Sequence, residues 1–282
     1  NVTLHTINKA GAEETHEGSI LIGADGINSV VRKRMHPNEG SPIWGGAVMW
    51  RGLSQAKPIR TGASFTLVGK LEQRFVSYPI NRPDPTTGLS DINWIAELSY
   101  DAKTNRPDGD WNKQVPAAKF KDAFTDWDFD WQNIPHLIDS AKEIYEYPMI
   151  DRDPIDMWVD KRVGLVGDAA HAMYPVGSNG ASQAIIDTRV LGAKFLEYGA
   201  NNNALAAYEE QLLNPINELV LRNRGAGPIG ILGIIEERCG GIFDDIDDVI
   251  PRSEIDKYMI GYKTASVFAK DQLNGSAQTI II

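Results

Sequence analysis

The first residues of the chain alternate between polar and apolar side chains, with apolar residues at Val2, Leu4 and Ile7. This pattern is typical of a strand that has one buried face. A polar turn is expected over 11–17, where charged and small residues predominate. The run 19–22, Ser-Ile-Leu-Ile, then predicts a short strand buried within a parallel sheet.

The predicted strand over 19–22 leads directly into Gly23-Ala24-Asp25-Gly26. A helix is expected next, with Asn28 or Ser29 near its N-cap, because short polar side chains accept hydrogen bonds from the free N–H groups there. The same strand texture returns at 162–167, Arg-Val-Gly-Leu-Val-Gly. After it, apolar residues recur at steps of three and four, which predicts two helices, over 181–196 and 204–224.

The stretch between these two buried strands has a different texture. Four strand-like runs, separated by turns that contain Gly and Pro, predict an antiparallel sheet. The runs lie at 47–53, 64–68, 75–80 and 92–100. Two helices are expected after them, over 115–124 and 131–140. The order predicts an α/β fold class, α+β overall, in which a β-rich domain interrupts one α/β domain and helices follow at the C-terminus.

Charge and cysteine content exclude several functions. The 282 residues include 28 Lys and Arg against 38 Asp and Glu, a formal net charge of −10. Such a surface repels phosphate backbones and anionic lipids, so neither nucleic acid nor a membrane is expected as a partner. Cys239 is the single cysteine. It cannot form an intrachain disulfide, which favours a cytoplasmic location.

The segment 167–182 is the strongest candidate for chemistry: Gly-Asp-Ala-Ala-His-Ala-Met-Tyr-Pro-Val-Gly-Ser-Asn-Gly-Ala-Ser. Its strand delivers Gly167 and Asp168 to the carboxyl end of a sheet, where open α/β folds bind ligands. A carboxylate there can accept hydrogen bonds from a ribose or ribityl diol. Gly177 and Gly180 let a planar ring approach the backbone, and a helix starting near Gly180 points N–H groups at such a ligand. A plain strand–loop–helix connection, with the glycines needed only for the turn, is the alternative.

The segment 23–32, Gly-Ala-Asp-Gly-Ile-Asn-Ser-Val-Val-Arg, precedes this one in the chain. Together the two segments resemble the FAD-dependent aromatic hydroxylases, the single-component flavoprotein monooxygenases related to para-hydroxybenzoate and salicylate hydroxylases. Within that family, the stretch from Met173 to Asp187 is most similar to the flavin hydroxylases of phenazine biosynthesis. The resemblance is specific around 160–192 and moderate at 19–34. In the inserted β-rich segment, 44–150, it is limited to the general pattern of predicted strands and turns.

The resemblance implies which residues contact FAD. Asp168 would hold the ribityl chain, Pro175 and the turn 177–180 would lie along the isoalloxazine ring, and the N–H groups of Asn179 and Gly180 would face its pyrimidine edge. The implied set is Asp25, Gly26, Arg32, Gly167, Asp168, Pro175, Gly177, Ser178, Asn179, Gly180 and Ala181.

Asp25 and Arg32 match the family's Asp-Gly motif, which is associated with FAD and with NAD(P)H docking. No side chain is expected to act as a catalytic acid or base. Instead, Pro175, Gly177 and Asn179 would form the surroundings of the flavin's reactive carbon. For His171, packing and bracing of the loop are expected rather than proton transfer. The five histidines show no metal-binding spacing, so no metal is expected.

The resemblance also implies a domain plan and an activity. Residues 1–43 and 151–200 would be the C-terminal part of a doubly wound FAD-binding domain, 44–150 a substrate-binding domain, and 201–282 a C-terminal helical region. The activity would be NAD(P)H-dependent hydroxylation, with O₂, of an aromatic or heteroaromatic small molecule through a flavin hydroperoxide. A homodimer is one expected assembly.

One departure from the family pattern keeps other functions open. The Gly-x-Gly-x-x-Gly turn that binds the FAD pyrophosphate is absent, since the similar spacing at 225–230 follows a predicted helix and contains Pro228. The chain is therefore expected to be a C-terminal fragment. The alternatives are a flavoprotein oxidoreductase without oxygen insertion, a fragment that binds FAD poorly and is not catalytic, and a binding module that retains the aromatic pocket alone.

Overall fold

The computed structural model describes residues 1–101, 112–225 and 227–265. The strands are β1 (Val2–Ile7), β2 (Glu13–Gly18), β3 (Leu21–Gly23), β4 (Ile43–Ala56), β5 (Thr66–Gly69), β6 (Gln73–Pro79), β7 (Ser90–Ser99), β8 (Asp128–Phe129), β9 (Gln132–Asn133), β10 (Ile144–Asp151), β11 (Val159–Asp160) and β12 (Val163–Leu165). The helices are α1 (Val30–Met35), α2 (Ile134–Asp139), α3 (Asp168–His171), α4 (Gly180–Tyr198), α5 (Asn202–Arg224), α6 (Gly230–Cys239), α7 (Ile246–Val249) and α8 (Arg252–Ala265).

The chain forms two compact units. Within the described residues, the first comprises Asn1–Ile43, Ile150–Ile231 and 245–265, and the second comprises Trp44–Met149 and Leu232–Asp244. The predicted helical region 201–282 is therefore not a separate unit in the described residues. The functions assigned to the predicted domains stay predictions, and residues 102–111, 226 and 266–282 of those domains lie outside the described residues.

The first unit contains a three-stranded sheet of order β11-β12-β3, in which β12 and β3 are parallel. Helices α4 and α5 supply much of its core, through buried residues such as Val190, Leu191, Leu205 and Tyr208. Beside it, β1 pairs with β2 in an antiparallel hairpin. The predicted polar turn over 11–17 is wrong there, because most of it is strand β2. Almost every β2 side chain is exposed, so the strand has no apolar alternation to detect.

The second unit is built on a five-stranded sheet of order β10-β4-β7-β6-β5. The four predicted strands are confirmed as β4 to β7, whereas β10 at the sheet edge was not predicted. Large side chains cover one face of the sheet: Trp50, Phe75 and Trp94 pack against Phe120 and Phe124. Two-residue alternation along β4 and β7 leaves the opposite face for polar side chains.

The two helices predicted after the sheet are shorter than expected. In place of the helix over 115–124, the structure has two 3₁₀ turns, Ala117–Lys119 and Lys121–Phe124. The second helix begins only at Ile134, because Asn133 caps it by accepting a hydrogen bond from the N–H of His136 at 2.7 Å. Even so, the antiparallel sheet, the parallel strand pair and the C-terminal helices confirm the predicted fold class.

None of the helices in the described part of the chain is both long enough and apolar enough to cross a membrane.

Candidate functional site

Parallel pairing of β3 and β12 brings the two sequence motifs to one edge of the sheet. Leu165 lies opposite Gly23, and the N–H of Val166 donates to the carbonyl of Gly23 at 3.0 Å. The chain leaves both strands at their carboxyl ends, toward Asp25 from one and toward Asp168 from the other. This edge is where parallel sheets characteristically bind ligands.

The turn after β12 exposes the Asp168 side chain beside helix α4. Gly167 adopts φ +59°, a left-handed conformation that favours glycine. Gly167 is buried, and a Cβ at this position would lie 3.4 Å from the Cβ of Ala184 on α4. The turn therefore packs directly against α4. Asp168 is exposed between two buried neighbours, so its carboxylate is available to a ligand.

The N-terminus of α4 follows a tight turn. Residues Pro175–Gly177 form a 3₁₀ turn, and Ser178 takes a left-handed conformation with φ +54°. Asn179 is the N-cap, but its side chain makes no capping hydrogen bond. The N–H groups of the first helical turn have no acceptor within the helix. Around Gly180, a Cβ would come no closer than 4.0 Å to Met173, so a flat ligand has room against the backbone.

The segment before α4 is anchored to the rest of the first unit. Asn223 on α5 donates from Nδ2 to the carbonyl of Tyr174 at 3.3 Å, and the Tyr174 hydroxyl donates to the carbonyl of Ile43 at 3.4 Å. Burial, together with the nearby charge of Asp151, raises the pKa of Tyr174 to about 12. Tyr174 therefore stays protonated at neutral pH and braces the turn that carries Pro175.

Asp187 on α4 and His171 on α3 form a fully buried pair. Nε2 of His171 lies 2.7 Å from Oδ2 of Asp187, and both side chains have 0% exposure. The same carboxylate oxygen accepts the N–H of Gly167 at 2.8 Å. The His171 ring packs against Trp158 with 5.3 Å between ring centroids. These contacts bury the His171 ring between Asp187 and Trp158, and its role in bracing the loop stays a prediction.

The Asp25 side chain is occupied at the start of α1. It accepts hydrogen bonds from the Ser29 hydroxyl at 2.5 Å and from the N–H groups of Val30 and Val31 at 2.7 and 3.3 Å. Partial burial raises the pKa of Asp25, but these hydrogen bonds outweigh burial and hold it below its ordinary value of 3.8. Asp25 therefore fixes the Gly26-containing turn and the helix after it. Ser29 is confirmed as the N-cap of α1.

Arg32 is buried, with 1% exposure, and it contacts protein groups on three sides. Nη1 donates to the carbonyls of Ala169 and Ala170 at 3.2 and 2.7 Å. Nε and Nη2 donate to Glu39, and Nη2 also donates to the carbonyl of Asp153 at 2.8 Å. A direct contact with a cofactor would require these bonds to break. The geometry instead gives Arg32 the task of holding the helix that carries Asp168.

The second unit has a cavity of about 700 Å³ lined by strand β4, by Asp91 on β7 and by residues of the segment 140–147. Arg51 and Lys142 supply positive charge, Asp91 and Glu143 supply negative charge, and apolar and aromatic surface comes from Leu53, Tyr145 and Tyr147. Nε of Arg51 donates to Oδ1 of Asn93 at 2.6 Å, which orients the guanidinium. The volume is within the range of small-molecule sites. The sequence predicts lining residues on the strand runs 47–53, 75–80 and 92–98, without naming single residues. Residues 51–53 of the first run line this cavity, whereas no residue of the other two runs does.

Metal coordination is not supported in the described ranges 1–101, 112–225 and 227–265: no group of three or more His, Cys, Asp or Glu side chains there could hold an ion.

Comparisons with known proteins agree on one family. A family described as "FAD binding domain" matches residues 2–223. Phenazine 1,6-dicarboxylic acid hydroxylase PhzS of Lysobacter antibioticus is 35% identical over 215 residues, covering 76% of this chain and 53% of that protein. The 3-amino-4-hydroxybenzoate 2-monooxygenase PtmB3 of Streptomyces platensis is 31% identical over 225 residues, covering 76% of this chain and 51% of that protein.

A solved structure of salicylate hydroxylase with its substrate matches with a TM-score of 0.64 at 20% identity, covering 98% of this chain and 69% of that one. This likeness supports the fold alone. The chain spans about half the length of the curated relatives it matches. The family match extends over most of the chain, and the resemblance noted from the sequence motifs is confirmed. The chain belongs to the FAD-binding aromatic hydroxylases, a family of flavoprotein monooxygenases.

Proposed function

We propose that the protein functions as an FAD-dependent, NAD(P)H-using monooxygenase that hydroxylates an aromatic or heteroaromatic small molecule. The observation that carries this proposal is the sheet edge of the first unit. There, the exposed Asp168 carboxylate, the turn 175–178 and the N-terminus of α4 follow one another after β12. Family membership and the monooxygenase names of the relatives support the same activity.

The residues at this edge fit FAD in their chemistry. The Asp168 carboxylate can accept hydrogen bonds from the ribityl hydroxyls. The N-terminus of the 19-residue helix α4 offers N–H groups and a positive dipole end to the electron-rich edge of the flavin ring. The open space beside Gly180 admits a planar ring. When bound, FAD would supply the redox chemistry that activates O₂.

In this proposal the chain itself binds, orients and shields. Asp168 holds the ribityl chain, and Pro175, Gly177, Ser178, Asn179, Gly180 and Ala181 provide the backbone surface under the ring. Asp25 and Arg32 support this surface without touching the cofactor, because their polar atoms are hydrogen-bonded to protein groups. No side chain of the motif is needed as a proton donor or acceptor.

Substrate binding is assigned to the cavity of the second unit. The names of the two relatives describe aromatic acids, a phenazine dicarboxylic acid and a hydroxybenzoate. A guanidinium at Arg51 and an ammonium at Lys142 suit a carboxylate, and Tyr145 and Tyr147 suit an aromatic ring. The cavity also contains the carboxylates of Asp91 and Glu143, which accept hydrogen bonds from Gln55 and Tyr145, so the anionic group of the substrate has to lie on the Arg51 side. We therefore propose an aromatic carboxylate as the substrate class.

The test is a titration of the purified chain with FAD, followed by quenching of flavin fluorescence. The wild-type chain should bind FAD, and Asp168→Asn should weaken binding about tenfold because a charge-assisted hydrogen bond is lost. Asp160→Asn, an exposed aspartate at the end of β11, is the matched control and should bind as the wild type does. Equal losses in both variants, or no binding by a folded wild-type chain, would contradict the proposal.

A further inference from the structure

We infer that Asp187 is a positioning residue for the cofactor site: its buried carboxylate fixes the Gly167–His171 turn and thereby sets the direction of Asp168. The inference rests on the proposed function, because it concerns the same site. Asp187 itself lies in the second turn of α4 and has no exposed surface, so it cannot touch a ligand bound outside.

One carboxylate oxygen of Asp187 contacts two donors, the backbone N–H of Gly167 and the ring of His171. Oδ2 of Asp187 accepts the Gly167 N–H at 2.8 Å and faces Nε2 of His171 at 2.7 Å. Within the described residues, Oδ1 of Asp187 and Nδ1 of His171 have no hydrogen-bond partner. In the described part of the chain, the Asp187 carboxylate thus bonds only to the two ends of one short turn.

The two donors, Gly167 and His171, lie at opposite ends of helix α3. Gly167 and His171 bracket the four-residue helix α3, whose first residue is Asp168. Because Asp187 holds the Gly167 N–H at one end of α3 and the His171 ring at the other, the orientation of this short helix is restricted. Arg32 holds the same helix from its carbonyl side, at Ala169 and Ala170. Asp168 is exposed, and its side chain has no hydrogen-bond partner among the described residues, so its direction depends on this bracing.

The Asp187 carboxylate is buried, so its hydrogen bonds matter electrostatically. A buried carboxylate is unfavourable unless hydrogen bonds compensate it. Burial and then the charge of Asp187 raise the pKa of the neighbouring Tyr208 phenol, whose hydroxyl donates instead to the carbonyl of Leu165 at 3.0 Å. The contacts of the Asp187 carboxylate are made to Gly167 and His171, and hydrogen bonds to a carboxylate are of the stronger, charge-assisted kind.

The experiment compares Asp187→Asn with Glu209→Gln. Glu209 is the matched control, because one of its carboxylate oxygens also accepts two backbone N–H groups, of Trp158 at 2.5 Å and Val159 at 2.8 Å, at β11 rather than at α3. Each change replaces a carboxylate with an amide of the same size. Two quantities are measured: the FAD dissociation constant, and the hydrogen-exchange rate of the 163–172 amides in the protein without FAD.

We expect Asp187→Asn to raise the FAD dissociation constant about tenfold, which equals about 1.4 kcal/mol, and to speed amide exchange over 163–172. Glu209→Gln should leave the FAD dissociation constant at its wild-type value, and any faster exchange should be confined to 163–165, which pair with β11, and should not reach 167–172. His171→Phe keeps a ring against Trp158 but removes one hydrogen bond, so a smaller loss, of about threefold, is expected. That variant also decides the question if Asp187→Asn does not fold.

Wild-type FAD affinity in Asp187→Asn, or an equal loss in Glu209→Gln, would overturn the inference. A wild-type chain that does not bind FAD would count against the proposed function instead. Hydrogen exchange would then judge the bracing role alone: unchanged exchange in Asp187→Asn overturns it, and faster exchange confined to 163–172 supports it.

Discussion

The turns at the sheet edge of the first unit and the sheet of the second unit are stabilised in different ways. In the first unit, charged side chains with almost no exposure, Arg32 at 1% and Asp187 at 0%, hold the turns by directional hydrogen bonds. In the second unit, rings such as Trp50 and Trp94, at 1% and 0% exposure, hold the sheet from one face. A directional hydrogen bond fixes where one turn points, whereas aromatic packing stabilises a whole sheet without specifying a single side chain. We therefore expect substitutions of the aromatic core to change mainly the free energy of unfolding, and substitutions of the hydrogen-bonding side chains to change ligand binding as well.

The largest effect is expected from Trp94→Ala in the core of the second unit. The Trp94 ring is fully buried and stacks on Phe75 with 5.6 Å between centroids. Its removal should lower the free energy of unfolding by about 3–5 kcal/mol because a large cavity remains. Urea unfolding measures this loss. Trp131→Ala, at a ring that is 48% exposed, is the control. Comparable losses in the two variants would mean that packing in this unit is not concentrated in its core.

Arg32→Met should be the next largest change. It leaves the Glu39 carboxylate and the carbonyls of Ala169 and Ala170 without their main donor, which should cost about 3 kcal/mol. FAD affinity should fall as well, because α3 loses one of its two braces. Arg34→Met, at an exposed arginine on the same helix, serves as the control for both measurements. Normal FAD affinity in a folded Arg32→Met protein would argue against the bracing role.

A smaller effect, confined to ligand binding, is expected for Arg51→Met. The side chain is exposed and lines the cavity, so stability should hardly change. Binding of an aromatic carboxylate probe, measured by quenching of tryptophan fluorescence, should weaken about tenfold because a charged hydrogen bond is lost. Arg82→Met, an exposed arginine of the same unit outside the cavity, should bind normally. Equal binding by both variants would remove the carboxylate from the proposed substrate class.

The smallest effect is a pH dependence at Asp25. Its pKa is lowered in the folded protein, so its stabilising contribution is present above the ordinary value of 3.8 and is lost as the pH falls below it. Wild type should therefore be more stable than Asp25→Asn at neutral pH, and the difference should shrink in acid. Urea midpoints across this range measure the effect. A gap that widens in acid would contradict the sign.

Local sequence patterns predicted the elements whose signal lies within a few residues. Helix α5 carries a regular apolar stripe, and Ser29 caps α1 three residues before its bonded N–H at Arg32. Strand β2 was missed because its side chains are nearly all exposed, so no apolar period marks it. The expected helix over 115–124 breaks into 3₁₀ turns, where tertiary packing of Phe120 and Phe124 overrides local preference.

The sequence by itself determined the motif segment 167–182, the resemblance to the flavin hydroxylases and the interruption of an α/β fold by an antiparallel sheet. Only the tertiary structure decided how the site residues divide their work. Arg32 meets Ala169 and Ala170 across more than a hundred residues, and Asp187 reaches back to Gly167. Such contacts follow from how strands β3 and β12 pair and how α4 packs on them. A linear pattern records which side chains are present, but burial and hydrogen-bond partners separate a residue that touches a ligand from one that holds the loop behind it.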